Sequence, residues 1–308
     1  MLLDPWLRAG DIWMVYSAAG IGKTFFALNV AYAIATGGKF LCWKAPRPRS
    51  VLYVDGEMAD WEMQERLRGV HESALKSGNG LPGATRNFTG WAATYQKPGS
   101  LFPDLATEAG LSVLLEKAIG KDLVVIDNLS TTMQSIDQNS ASEWISTMQT
   151  TLVELRKRGT AVLLVHHSNK GGDQSGTSAK DVILNGKIKL ERPADHPKAG
   201  AAFLVQWEKA RSLREEDKMP IQAELVEIDG LPAWDHKKFI TSKLLELKRM
   251  AQSGDYATQK EMAEALGVDK SRVTQMKNEG VDAGLWTNPE WNRWMREARE
   301  QRESLADY

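Results

Sequence analysis

Ile12-Trp13-Met14-Val15-Tyr16-Ser17-Ala18-Ala19-Gly20-Ile21-Gly22-Lys23-Thr24 reads as a buried strand that runs into a phosphate-binding loop. A short apolar run, Ile12–Tyr16, suits a strand covered on both faces. The eight residues after it fit G-x-x-x-x-G-K-[ST], with Ser17 where the first glycine is expected. Small residues there let successive backbone N–H groups curl around phosphates, and the start of the following helix adds partial positive charge. In such a loop Ser17, Ala18, Ala19, Gly20, Ile21 and Gly22 form the cradle, Lys23 reaches the β- and γ-phosphates, and Thr24 binds magnesium. ATP and Mg2+ are therefore the expected ligands. Ser17 is small, so it constrains the loop without abolishing it. The helix read over Lys23–Thr36 is apolar nearly all round and stops at Gly37-Gly38, as a helix buried beside a sheet would.

Outward from this point, apolar runs at Val51–Asp55, Leu123–Asp127, Ala161–His166 and Ala202–Trp207 alternate with helix-like stretches at Asp60–Ser77, Thr107–Ile119 and Ser140–Arg158. That alternation predicts an α/β fold with a mostly parallel sheet. Leu123–Asp127 ends an apolar run in a carboxylate, as a Walker B segment does, which makes Asp127 the magnesium partner; a cap on the next loop is the plainer account. Val51–Asp55 leads into Gly56-Glu57-Met58. Hydrolysis needs a group to orient or deprotonate water, and Glu57 is the candidate, with Asp55 a competitor. His166 and His167 end another strand. Adjacent strand residues point to opposite sides, so His167, nearer the tip, is the one to sense a γ-phosphate. The histidine pair lacks nearby cysteine or suitably spaced acid, so it does not read as a metal site.

The chain's 308 residues allow about two domains. Its composition, 42% hydrophobic and 26% charged, is that of a globular chain without a membrane-spanning run. No signal peptide is visible near the N-terminus, so a cytoplasmic protein is expected. Cys42 as the one cysteine excludes an internal disulfide framework. A net charge of −1 offers no overall attraction for a polyanion, so any nucleic-acid site must be local. Eleven tryptophans without fixed spacing read as packing residues. Gly78–Pro98 and Asn169–Asp181 read as loops, the second carrying Lys170 and Lys180.

Taken together, the P-loop Ser17–Thr24, Asp55-Gly56-Glu57-Met58 with Glu65-Arg66-Leu67, Leu123–Asp127 with Asn128-Leu129, His166-His167-Ser168-Asn169-Lys170 and Glu208-Lys209-Ala210-Arg211 resemble, in order, the RecA-like ATPases of the RepA type. These are small hexameric replicative helicases of plasmids and phages, with DnaB-type helicases more distant. The resemblance spans roughly residues 5–230. It implies a homo-oligomeric ring, probing single-stranded DNA with the loops Ser130–Ser142 and Asn169–Asp181, where Lys170 and Lys180 are the candidate contacts. It also implies that Glu57 is the catalytic glutamate, and that Lys209 and Arg211 form a Lys-x-Arg element inserted into a neighbour's nucleotide. The departures are Ser17 for glycine and Ser175 where an arginine is expected.

A boundary near Asp235–Ser242 divides an ATPase domain, 1–238, from a C-terminal domain, 239–308. Gln259–Met276 fits a helix-turn-helix, with Met262, Leu266, Val268, Val273 and Met276 as its packing stripe and Gly267 in the turn. If that unit binds duplex DNA, Ser271, Arg272, Thr274 and Gln275 lie on its exposed face; Glu261, Glu264, Asp269 and Glu279 oppose the basic residues. Gly284-Leu285-Trp286 could begin a wing, and the tail from Asn292 reads as a solvated charged helix. The first functional reading is a ring-forming ATPase that translocates on single-stranded DNA as a helicase of a mobile element, without a membrane partner. The alternative is an ATP-switched DNA-binding regulator or helicase loader. A repressor with a decayed P-loop fits less well, because the hydrolytic residues are intact.

Overall fold

The computed structural model describes residues 1–79, 83–96, 101–135, 148–168, 180–193, 201–239 and 242–306. They form two compact units, Met1–Leu213 with Ile221–Lys237, and Arg214–Pro220 with Lys238–Tyr308.

In the first unit the strands are β1 (Ile12–Ser17), the small hairpin β2 (Lys39–Phe40) and β3 (Trp43–Lys44), β4 (Val51–Asp55), β5 (Phe88–Ala92), β6 (Leu123–Asp127), β7 (Ala161–His167), β8 (Gly186–Glu191), β9 (Ala202–Ala210), β10 (Ile221–Ile228) and β11 (Leu231–Lys238). Between them lie α1 (Lys23–Thr36), α2 (Asp60–Lys76), α3 (Glu108–Lys117) and the turns or short helices α4 (Leu129–Thr132), α5 (Thr150–Lys157) and α6 (Lys180–Ile183). Among the described residues the main sheet has the order β11-β10-β9-β8-β1-β7-β6-β4-β5. The strands from β8 to β5 run parallel, and β9 is antiparallel to both β8 and β10.

The apolar strands form this sheet because both faces are covered, and alternate residues serve opposite cores. Trp13, Val15, Val51, Tyr53, Leu123, Val125, Leu163 and Val165 pack on one side with α1. Met14, Leu52, Val54, Val124, Ile126, Val162 and Leu164 pack on the other with α3 and α5. On the first side Trp6, Trp13, Trp43 and Trp207 meet edge to face, with ring centroids 4.9–6.0 Å apart. That accounts for much of the tryptophan content by packing, as expected; among the described residues Trp61 is the exception, 67% exposed on α2.

One of two readings of the sequence differs from this. Phe88–Ala92, inside a stretch read as loop, is an edge strand paired with β4. It buries only Trp91 and Ala92 and contains Gly90, so it lacks the apolar run that marks an interior strand. The helix read over Ser140–Arg158 is present as α5, while 136–147 lies outside the described residues.

The second unit holds α7 (Ser242–Ser253), α8 (Gln259–Leu266), α9 (Lys270–Asp282) and α10 (Asn288–Ala306) around Leu244, Leu247, Met262, Val273, Met276, Trp286 and Trp291. Thr258 caps α8 by accepting from Glu261 N, and Asp269 caps α9 by accepting from Arg272 N at 2.7 Å. Gly267 turns between them at φ 63°, a conformation that costs glycine little. Gly284–Trp286 leads into α10 rather than a wing. Trp286 lies where a Cβ on Gly280 would collide with its ring, so the indole fills the unit's core. Nor is α10 wholly solvated, since Trp291, Met295 and Ala298 are buried. No described helix is long and apolar enough to cross a membrane.

Candidate functional site

Four parallel strands end together at one edge of the sheet: Ser17 pairs with His167, and Asp55 with Asp127. Since β7 lies between β1 and β6, His167 stands between the loop that follows β1 and the carboxylate that ends β6. The cleft above this edge, about 590 Å³, is lined by Gly20, Gly22, Lys23, Thr24, Glu57, Asp127 and His167 among others.

The loop forms because Gly20 and Gly22 take the left-handed backbone its tight curl requires, at φ 75° and 112°. Ser17 is the last residue of β1 and extended, so no glycine is needed at that position. Lys23 opens α1 and folds back over the loop, donating to Ser17 O at 3.1 Å and Ala18 O at 3.0 Å, with Nζ 3.1 Å from His167 Nδ1. Burial pushes the Lys23 ammonium down to about 8, against the opposing pull of Asp127 and Glu57. His167 is also pushed down, by burial and by Lys23, so its ring is neutral beside the ammonium.

Asp127 is buried and accepts from Tyr53 OH at 2.6 Å and from the Thr24 hydroxyl. Burial still raises its carboxyl. Asp55 caps its own turn, accepting from Met58 N at 3.0 Å and Glu57 N at 3.4 Å; burial, then the nearby Asp127, hold it at about 7. That engagement leaves the Glu57 carboxylate as the one turned toward a different partner. Asn128 Nδ2 donates to Glu57 Oε2 at 2.7 Å and lies 3.2 Å from His167 Nε2. The Asn128 side-chain Oδ1 accepts from Thr131 N at 3.1 Å, which caps α4 and fixes the amide. Asn128, quoted above only within the resemblance, and Tyr53 are site residues to which the sequence reading gave no role. Nothing but a polar residue after Asp127 marks the first, and Tyr53 sits in an apolar strand.

Lys209 and Arg211 lie elsewhere. Ala210 pairs with Gly186, which in turn pairs with Trp13 near the start of β1. Both basic residues therefore stand at the edge opposite the chain's own P-loop, about 13 Å along β1 from Ser17. Arg211 is exposed. Lys170 and Ser175 lie outside the described residues, and of Lys180 only the backbone, at the start of α6, is described. In the second unit Ser271, Thr274 and Gln275 are exposed, while Arg272 is ion-paired to Glu279 at 2.6 Å.

Comparison with known proteins agrees with this architecture. The model of the family described as "AAA domain" matches residues 1–173. No curated protein matches the chain in sequence. Among solved structures, the KaiC-like protein PH0186 of Pyrococcus horikoshii OT3 is similar, with TM-score 0.51 and 15% identity over 76% of this chain and 93% of that one. The flagellar accessory protein FlaH of Methanocaldococcus jannaschii is similar with TM-score 0.50 and 12% identity, over 74% of this chain and 91% of that one. At such identities these two structures speak for the fold alone. Fold, loop and family model converge, and the chain belongs to the AAA-domain family as a RecA-like P-loop ATPase.

Proposed function

We propose that the protein hydrolyses ATP with Mg2+ at this cleft, as a ring of identical subunits that moves along single-stranded DNA. The observation that carries the reading is the gathering of Lys23, Thr24, Glu57, Asp127 and His167 at one strand edge while Lys209 and Arg211 stand at the opposite one. A subunit arranged so keeps Arg211 away from its own nucleotide, and in a ring that residue would serve a neighbour's.

In this reading the loop N–H groups and Lys23 hold the phosphates, and Thr24 and Asp127 supply the hard oxygen ligands that magnesium takes. Magnesium, when bound, neutralises charge that develops on the phosphates. Glu57 accepts the proton of the attacking water. Asn128 bonds one Glu57 oxygen and leaves the other for that water, and His167 faces the terminal phosphate from β7. Arg211, in trans, stabilises the charge of the transition state.

Lys23 gives this reading a pH signature. Phosphates favour the ammonium form, and in the free protein that form is lost above about 8. Affinity for ATP is therefore expected to be level below about pH 7.5 and to fall by up to about tenfold per pH unit above it, with uptake of one proton on binding. Calorimetry in two buffers of different ionisation enthalpy measures both. Level affinity up to pH 10 would remove Lys23 from the phosphates.

The DNA part of the reading is tested by separating the two units. A channel loop holds any single strand by its backbone, whereas a helix-turn-helix reads duplex edges. Deleting Thr241–Tyr308 is expected to leave nucleotide-dependent binding to oligonucleotides of arbitrary sequence. Replacing Lys170 and Lys180 together by alanine should weaken that binding and flatten its salt dependence.

The second reading, an ATP-switched regulator or helicase loader, draws support from the second unit. Between residues 242 and 306, eleven Lys and Arg are matched by eleven Asp and Glu. Arg272 is tied to Glu279, which suits protein docking better than a phosphate backbone. If the truncated protein loses all affinity for DNA while the double lysine variant keeps it, this second reading replaces the first.

A further inference from the structure

Asn128 is only 3% exposed, and both ends of its side-chain amide are engaged. Oδ1 accepts from Thr131 N at 3.1 Å, and the backbone carbonyl accepts from Thr132 Oγ1 at 2.8 Å, so side chain and main chain are both tied to α4. α4 is itself seated tightly on the turn that carries Glu57, since a Cβ on Gly56 would collide with Thr131 and Thr132. The amide is thereby fixed with its oxygen toward α4 and its NH2 group toward the cleft. That group has two hydrogens, and two acceptors face it: Glu57 Oε2 at 2.7 Å and His167 Nε2 at 3.2 Å.

This arrangement places the hydrogen of the imidazole. The ring is neutral, because burial and Lys23 both oppose its charge. A neutral imidazole carries one hydrogen, and the nitrogen that receives a bond is the one without it. Nε2 receives the amide, so the hydrogen lies on Nδ1. Nδ1 in turn stands 3.1 Å from Lys23 Nζ. The ammonium already has acceptors in Ser17 O at 3.1 Å, Ala18 O at 3.0 Å and Ser17 Oγ at 3.4 Å. Two donors thus meet side by side in the cleft, and neither can accept from the other.

We infer that Asn128 is a positioning residue that acts through His167: its fixed amide holds the ring in the tautomer with hydrogen on Nδ1, so that Nδ1–H and Lys23 together grip one oxygen of the terminal phosphate. The inference rests on the proposed phosphate site, which supplies that oxygen. It gives Asn128 a part beyond its bond to Glu57, since one NH2 group aligns the base on one side and a phosphate donor on the other. The opposite tautomer would turn a lone pair toward the phosphate. ATP would then lose a hydrogen bond, whereas ADP, which lacks the terminal phosphate, would not.

The tautomer is read on the full chain without nucleotide, by solid-state NMR with 13C and 15N at histidine alone. Nδ1 borders Cγ and Nε2 borders Cδ2, which tells the nitrogens apart, and the signals of His167 are those missing from His167→Gln. At about pH 8, above the range in which histidine ionises, the wild type is expected to show hydrogen on Nδ1 and a bare Nε2. Asn128→Asp keeps the size of the side chain and the cap on α4 but accepts where the amide donates. It is expected to carry hydrogen on Nε2 and to bind ATP about tenfold or more weakly, the worth of a hydrogen bond to a charged group, with ADP affinity within about twofold. Asn128→Ser, which can also cap α4 and adds no charge, should lose the single tautomer and fall between the two in ATP affinity. The inference is overturned if the wild-type ring carries its hydrogen on Nε2, or if Asn128→Asp leaves Nε2 bare. It is equally overturned if the tautomer changes while ATP and ADP affinities keep their ratio, because Nδ1–H would then not touch the terminal phosphate. Failure of the phosphate site itself would appear separately, as Lys23→Ala binding inorganic tripolyphosphate like the wild type.

Discussion

Mixing two inactive proteins, Arg211→Ala and Glu57→Gln, is expected to restore ATP hydrolysis. Loss of an arginine that stabilises transition-state charge costs about 10³-fold or more in rate. Loss of a general base costs about 10²-fold or more. Each variant alone should therefore be nearly silent, and Glu57→Gln should still bind ATP, because the glutamine keeps the size of the side chain and its contact with Asn128. At a mixed interface one subunit contributes an intact Glu57 with its nucleotide and the next contributes Arg211, so activity returns in proportion to such interfaces. The measurement is steady-state phosphate release against mixing ratio, in preparations shown to co-assemble. Co-assembled subunits without recovery would rule out a trans arginine, and wild-type turnover by Glu57→Gln would move the base to Asp55.

Lys23→Ala should abolish measurable nucleotide binding without unfolding the protein. Hydrogen bonds from a charged donor to phosphate are among the strongest available, and losing an ammonium shared between two phosphates costs about 10²-fold or more in affinity. In the nucleotide-free protein the same ammonium is a burden, since burial has already driven it down to about 8. The melting temperature of the free variant is therefore expected to equal or exceed that of the free wild type. Added ATP should raise the wild-type Tm and leave the variant's unchanged, because only a ligand that binds the folded state shifts unfolding. A variant that melts lower, yet still responds to ATP, would mean that Lys23 is a packing residue.

The interior of the fold was legible because a strand covered on both faces has no room for polar residues. Val51–Asp55, Leu123–Asp127 and Ala161–His167 announce themselves as apolar runs with a polar end, and the polar end is where the cleft lies. The edge was not legible. β5 has solvent beside it, and Phe88–Ala92 needs no apolar run to pair with β4. β8, with alternating lysines in Gly186–Glu191, and the β10–β11 hairpin likewise carry mixed patterns. Within the cleft, the residues fixed by the spacing of the loop could be read, as Lys23 and Thr24 were. Asn128 could not, because its work is to join Glu57 to α4 across two strands, and that adjacency exists only after β4 and β6 have paired.

The four indoles of Trp6, Trp13, Trp43 and Trp207 also make the first unit distinguishable by light. Aromatic chromophores held at steep mutual angles within 6.0 Å couple their electronic transitions and give a paired positive and negative band in the ultraviolet circular dichroism spectrum. The second unit holds its own indoles, Trp286 meeting Trp291 at 37° and Trp294 at 71°, so its contribution is taken by difference from the chain truncated before Thr241. Heating the intact chain while watching that couplet would follow the loss of the sheet's tryptophan-lined core apart from the helical unit, which the amide signal alone cannot do. The optical record would then say which of the two units gives way first.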